Sequence, residues 1–377
     1  MGPDPLAGAG PLAGAGPLAA ELVGDQAESW DVTGLLPEKV LRELGDRGLL
    51  CPQVPEEYDG LGADSLSSGE FTAQVGSLCG SLRSVMTSQG MAAWTVQRFG
   101  GPAQRRTYLP QLARTKRAAV GLSEPEAGSD LSAMGTEIRK DGDTVVVDGR
   151  KVWMTAAHYA DLLVVFGRFD GGAAAVVVPA TAPGVRVERI TAPLGCRAAG
   201  HADVRFESVR LPADHVLGGV GMPLPLLITT ALASGRMSVG WGCVGILRAC
   251  RAAACRHAAA RRQFGKPLAE HQLVARRLAE LLVAEQVATR ACEHASSCWD
   301  EGAPDAAVAT VLAKHVSAGQ AVEGAASALQ VLSSAGARDG HVVARAYRDA
   351  KLMEVIEGSS EICQLILAEH ALTTVAR

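Results

Sequence analysis

No stretch of the sequence approaches the roughly eighteen uninterrupted apolar residues that a membrane span needs, which argues against a transmembrane helix. The start lacks the charged-then-apolar order of a secretory signal, so a cytoplasmic protein is expected, with no membrane partner. An excess of positive charge is missing too. With 36 Lys and Arg against 40 Asp and Glu, the net charge of -4 offers no electrostatic case for nucleic acid. The nine cysteines (Cys51, Cys79, Cys196, Cys243, Cys250, Cys255, Cys292, Cys298 and Cys363) contain no Cys-x-x-Cys pair or zinc-type spacing, so they read as reduced, mostly buried small hydrophobes. The nine histidines are scattered without a metalloprotease pattern, and no metal is expected.

What is present is the composition of a soluble globular protein, 48% hydrophobic and 20% charged. At 377 residues it is long enough for two or three packed units. Residues 1–19 contain the repeat PLAGAGPLAGAGPLA, where proline and glycine recur too often for a stable helix, and a disordered tail is expected. From 20 to 119 apolar residues fall at helical spacing, as in LPEKVLRELGDRGLL. From 120 to 224 short β-branched runs are split by turns (DGDTVVVDGRKVWMT, DLLVVFG, AAAVVVPA), the pattern of a small antiparallel β domain. From 225 to 377 long Ala, Leu, Arg and Glu-rich stretches return, as in a helical bundle. The fold class is α+β.

Four segments bear chemistry. GLSEPEAGSD (121–130) packs proline, glycines and hydroxyls into a loop able to present N–H and hydroxyl groups to a polar cofactor edge. In KVWMT, Trp153 and Thr155 would share one strand face, an aromatic plane beside a hydroxyl suited to a flat heterocycle; a tryptophan merely covering the sheet is the alternative. RRQFGKPLAEHQ offers Arg261 near a helix boundary, either for a phosphate or as an exposed charged turn. In EVIEGSSEIC, Glu357 follows Val355 and Ile356, and either faces solvent or is held beside something it must deprotonate. GGVGMP (218–223) lacks the βαβ context of a dinucleotide loop.

Taken in order, PEEYDGLG, YLPQLA, LSEPEAGSD, KVWMT, LGCRAAGHADVRFESVRLP, RRQFG and YRDAKLMEVIEGSSEI resemble the signatures of the acyl-CoA dehydrogenase family over nearly the whole chain after the tail. The resemblance implies an N-terminal helical domain, a middle antiparallel β domain and a C-terminal four-helix bundle, with FAD as cofactor. It makes Glu357 the base that removes the substrate α proton. Some relatives carry the base immediately before an arginine resembling Arg236, but Gly235 stands there. Leu122 and Ser123 would line the flavin edge, Trp153 and Thr155 the ring, and Ser129 the pyrophosphate. Arg261, Gln263, Phe264, Gln272 and Gln330 resemble residues that reach the FAD of a neighbouring subunit, implying a homodimer or tetramer. By the same resemblance Ser359 and Glu361 would fall at the cofactor, and Asp349 would anchor the fold.

Departures from the family pattern are Ile356 for a tyrosine, Ala156 for an asparagine, Ser333 and Ser334 for a Gly-Gly pair, and Ala233 for an acidic residue that accompanies Arg236 at the CoA thioester. The helix SLRSVMTSQGMAAW corresponds to the wall facing the acyl chain. Ser84, Thr87 and Ser88 fall on one face with Arg83 beside them, which suits a short oxygenated substrate, or else faces solvent. This stretch, with SVGWGCVGILRAC and KLMEVIEGSSE, resembles most the branch serving methoxymalonyl-ACP extender-unit biosynthesis in modular polyketide pathways. That implies oxidation of 2-hydroxy-3-oxopropionyl-ACP to hydroxymalonyl-ACP, with an acyl carrier protein and an unidentified electron acceptor as partners. A short-chain acyl-CoA dehydrogenase and a flavin-less interaction scaffold are the alternatives.

Overall fold

Helical periodicity is realised in six helices at the start of the chain: α1 (Ala15–Val23), α2 (Ala27–Thr33), α3 (Glu38–Asp46), α4 (Ser65–Leu78), α5 (Gly80–Phe99) and α6 (Pro102–Pro110). The computed structural model describes residues 10–219 and 221–375. Asp64 caps α4 by accepting from the Ser67 amide at 2.6 Å, and Pro102 opens α6 where no amide is needed. The expected tail needs correcting over its described part, since 1–9 lie outside the described residues. Leu12, Ala15, Ala19 and Val23 are buried on one stripe, and Pro17 sits in the first turn, where it is tolerated. Gly16 packs so closely on α4 that an added Cβ would overlap Gln74. The small residues that look like low complexity therefore permit close helix contact.

The middle segment forms β1 (Ala118–Gly121), β2 (Glu137–Asp141), β3 (Thr144–Met154), β4 (Leu162–Phe169), β5 (Gly172–Pro179), β6 (Val185–Arg189), β7 (Ala202–Pro212) and β8 (Val216–Leu217). Their order is β6-β7-β3-β2-β4-β5-β8, with β1 added beside β4. Pairing is antiparallel except that β4 meets β1, and the first residue of β2, in parallel. The continuous apolar run of β4 follows from its central place, buried on both faces.

The remaining chain makes α7 (Leu224–Ala260), a hairpin of β9 (Arg262–Gln263) and β10 (Lys266–Pro267), then α8 (Gln272–Asp300), α9 (Ala306–Leu332), α10 (Val342–Val355) and α11 (Ser360–Val375). Of the GGVGMP stretch, the described residues 218–219 and 221–223 lie between β8 and α7. The bundle core is rich in alanine and cysteine, with Cys243, Cys250 and Cys292 fully enclosed. All nine cysteines are free thiols, and burial raises the Cys243 and Cys292 thiols to about 12, so they are inert hydrophobes. Among the described residues no helix is long and apolar enough to cross a membrane.

Candidate active site

Glu357 lies in the tight turn between α10 and α11, with φ of 55°, followed by Gly358 at 92°. A glutamate in the left-handed region is held there by its surroundings. Lys314 Nζ donates to the carbonyls of Gly358 (2.6 Å) and Glu354 (3.3 Å), and Arg236 Nε donates to the Glu357 carbonyl (3.0 Å). Lys314 therefore caps the last turn of α10, and with Arg236 it pins the turn that follows. The half-buried Glu357 carboxyl reaches α7 opposite Gly235, where an added Cβ would stand 2.7 Å from its Oε2 and 2.7 Å from Met91 Sδ. Gly235 thus makes the room that Glu357 occupies. Burial pushes the carboxyl above its usual range, against the opposing pull of Arg236, Lys314 and Arg83. A carboxylate raised in this way holds a proton more readily than an exposed glutamate.

The wall on α5 is buried throughout, with Arg83 1%, Ser84 4%, Thr87 6% and Ser88 4% exposed, so it does not face solvent. Its grouping differs from the expected single face. Arg83 and Thr87 point to α7, where Arg83 Nη1 donates to Thr87 Oγ1 (3.1 Å) and Thr87 Oγ1 bonds Ser238 Oγ (2.7 Å). Ser84 instead returns its hydroxyl to the Gly80 carbonyl, and Ser88 donates to the Thr155 carbonyl at 2.9 Å. Ser88 thereby ties α5 to the end of β3, across the domain boundary.

At that strand end the alternation breaks. A register shift between Lys151 and Met154 puts Trp153 at φ of 56°, so Trp153 and Thr155 do not share a face by simple strand alternation. The Trp153 ring is 55% exposed, while the Thr155 hydroxyl bonds Nδ1 of buried His201 at 3.2 Å. His201 Nε2 is buried without a hydrogen-bond partner, and burial lowers the imidazole to about 4, so the ring is neutral. Ala156 adopts φ of 65°, a conformation that asparagine tolerates better, which gives that departure a physical cost. The preceding loop is pinned by an ion pair. Lys151 Nζ meets Glu124 Oε1 at 2.6 Å and the Leu122 carbonyl at 3.1 Å, while Glu124 accepts from the Gly135 and Thr136 amides. Ser123 receives the Val152 amide through its carbonyl, and Ser129 is exposed.

Arg261, Gln263, Phe264 and Gln272 are all exposed around the β9–β10 hairpin. Phe264 occupies a left-handed position, φ 50°, and its ring is 94% exposed. Gln330 is exposed at the end of α9, and Ser359 caps α11 by accepting from Ile362 N, with Glu361 exposed beside it. Among the described residues no hydrogen bond links this group to Trp153 or Thr155. Asp349 is buried and accepts from the Cys196 amide at 2.6 Å, tying α10 to the loop before β7. Sequence reading missed His201, Lys314, Gly235 as a space-maker and the Lys151–Glu124 pair. His201 sits within LGCRAAGHADVRF, but no spacing rule links it to a threonine 46 positions earlier.

Three family models match the chain: acyl-CoA dehydrogenase N-terminal domain over residues 15–116, middle domain over 119–209 and C-terminal domain over 226–372. A probable acyl-CoA dehydrogenase, YngJ of Bacillus subtilis strain 168, is 32% identical over 365 residues, covering 94% of this chain and 95% of that protein. Among solved structures, FkbI for biosynthesis of the methoxymalonyl extender unit of the FK520 polyketide immunosuppressant is 62% identical with a TM-score of 0.91, covering 95% of this chain and 99% of that one. A glutaryl-CoA dehydrogenase from Mycobacterium smegmatis in complex with FADH2 is 25% identical with a TM-score of 0.87, covering 96% and 95%.

Proposed function

The chain belongs to the acyl-CoA dehydrogenase family, and from that premise we propose that it oxidises 2-hydroxy-3-oxopropionyl-ACP to hydroxymalonyl-ACP, a step toward a methoxymalonyl extender unit. As a member it is a flavin-dependent oxidoreductase that uses FAD, which sets the scaffold alternative aside. The observation that carries the finer reading is the 62% identity, over 95% of the chain, to a methoxymalonyl extender-unit enzyme. The buried face of α5, with Arg83, Ser84, Thr87 and Ser88, is polar where a long alkyl chain would find few apolar partners, which supports it.

The residues present fit the cofactor: an exposed Trp153 indole lies beside a Thr155 hydroxyl backed by neutral His201, at the end of a loop held by Lys151 and Glu124. Leu122, Ser123, Ser129, Trp153 and Thr155 would hold FAD from its own subunit. Arg261, Gln263, Phe264, Gln272 and Gln330 would do so from a neighbour, with Ser359 and Glu361 near it, in a homo-oligomer. When bound, FAD supplies the acceptor for the hydride lost from the β-carbon. Glu357 takes the proton from C2 of the hydrated aldehyde as the hydride leaves C3. The resulting enol of a carboxylic acid regains a proton at C2 and becomes the hydroxymalonyl product.

Mass spectrometry of the carrier-protein-bound acyl group before and after incubation with the flavin-loaded enzyme tests this. The expected change is the gain of one oxygen atom at C3. No conversion, together with efficient oxidation of butyryl-CoA, would replace the reading with a short-chain acyl-CoA dehydrogenase.

A further inference from the structure

The register of the sheet carries past its last strand pair and sets two polar side chains against each other. Met154 pairs with Ala202 across β3 and β7, so one step beyond them Thr155 stands opposite His201, and the Thr155 hydroxyl meets His201 Nδ1 at 3.2 Å. The backbone around both is pinned. Ala156 N donates to the Ala199 carbonyl at 3.0 Å, His158 N to the Gly200 carbonyl at 3.1 Å and Ile190 N to the His201 carbonyl at 2.8 Å. The Trp153 indole meets the imidazole in a T-shaped contact, with ring centroids 6.0 Å apart. His201 is buried and Thr155 is half-buried, so the pair leads from an enclosed ring to a partly accessible threonine.

The second ring nitrogen has nothing to bond. Nε2 is buried without a partner; the Cys196 carbonyl favours a proton on the ring, but Nε2 makes no hydrogen bond to it. Burial, together with the Arg83 charge, lowers the imidazole to about 4, so one nitrogen carries the single ring proton. With that proton on Nε2, a buried N–H would lack an acceptor. With it on Nδ1, only a lone pair goes unused, and orphaned buried N–H groups are the rarer of the two in folded proteins. The proton therefore belongs on Nδ1, where it donates to Thr155 Oγ1. Among the described residues Thr155 Oγ1 makes no other hydrogen bond, so its own hydrogen turns away from the ring and is left to donate elsewhere.

We propose that His201 is a positioning residue for the cofactor, whose Nδ1–H fixes the Thr155 hydroxyl as a hydrogen-bond donor toward the ring edge of FAD. The inference rests on the placing of FAD against Thr155 under the proposed function. A threonine hydroxyl by itself is a rotor that can donate or accept. Backed by an N–H, it presents its hydrogen before the cofactor arrives, so little ordering is left to be done on binding. This gives a reason for enclosing a histidine at the strand end with one nitrogen idle.

Nitrogen-15 spectra of histidine-labelled, flavin-free protein give the tautomer, the His201 signals being those lost in His201→Asn. The Nδ1–H form is expected, and a proton on Nε2 overturns the proposal. FAD titrations, read by flavin absorption and fluorescence, measure the contact. His201→Leu should weaken FAD binding about fivefold, the worth of one neutral hydrogen bond, and alter the band shape of the bound flavin. His201→Asn, whose amide N–H can stand near the place of Nδ1, should restore most of the affinity. In a Thr155→Val background His201→Leu should change FAD affinity by less than about twofold, because both act through one hydroxyl. Unchanged affinity and band shape in His201→Leu overturn the proposal. So does a loss that persists in the Thr155→Val background, which would make His201 a packing residue. Thr155→Val that binds FAD as tightly as wild type removes the hydroxyl from the flavin and this inference with it. Conversion of the carrier-bound aldehyde is measured separately, so failure here and failure of the proposed reaction are distinguishable.

Discussion

Glu357 combines a strained backbone with a carboxyl that burial makes reluctant to ionise. In the proposed role of base it acts deprotonated, so turnover should fall as pH drops through a pKa above the ordinary glutamate value of about 4.3. The same shift bears on stability. Because the unfolded chain releases this proton first, the group's stabilising contribution is full below the unfolded pKa and is lost as pH rises through the folded one. Glu357→Gln is therefore expected to retain flavin and fold, to melt higher than wild type at neutral pH, and to lose that advantage in acid. Its turnover should drop by about 10²–10⁴-fold, checked by stopped-flow flavin reduction. Near-normal reduction would move the base elsewhere.

Between elements, the fully buried Lys151 joins β3 to the loop that follows β1. Burial pulls its ammonium down to about 8, with Glu124 opposing the fall, so it remains charged at pH 7. Burial pushes the Glu124 carboxyl up, but its bonds from Lys151, Thr136 and Gly135 more than offset this and leave it below its usual range. Lys151→Met would strand a buried carboxylate on two amides, and breaking such a pair typically costs about 3–5 kcal/mol. Urea unfolding should show that loss, with weakened FAD retention as the loop bearing Leu122 and Ser123 loosens. A variant within 1 kcal/mol of wild type, roughly the value of an exposed pair, would show that the loop is held by other contacts.

At the scale of the whole molecule, the residues proposed to reach a neighbour's FAD, Arg261, Gln263, Phe264, Gln272 and Gln330, are all exposed on the C-terminal bundle. Phe264 at 94%, Leu273 at 79% and Leu372 at 75% exposure leave large apolar side chains on the C-terminal bundle. Phe264 also occupies a left-handed turn position that glycine or asparagine fills more easily. Such exposure is suited to a second subunit. Arg261→Ala should then lower flavin content and oligomer mass together, because a charge-assisted phosphate contact across subunits links them. Light scattering with absorption spectra checks this, and unchanged flavin affinity would withdraw the cross-subunit role.

The sequence by itself determined the order of helical, sheet and helical segments, because hydrophobic periodicity and turn residues are local signals. It also singled out Glu357, but its local pattern left a solvated acid and a base both open, and only the family resemblance chose between them. Tertiary structure alone decided what surrounds that acid. Gly235 lies 122 positions earlier and Lys314 donates across 44, while the Trp153 backbone turns at a register shift that only the pairing with β7 creates. It decided also that the Pro and Gly-rich start becomes α1, because Leu12, Ala15 and Ala19 find an apolar surface to bury against, and burial overrides weak local propensity. The division of the α5 face, Arg83 and Thr87 toward α7 and Ser88 toward Thr155, follows from which neighbour each side of the helix meets. Helical spacing specifies a face, and only packing specifies what that face touches.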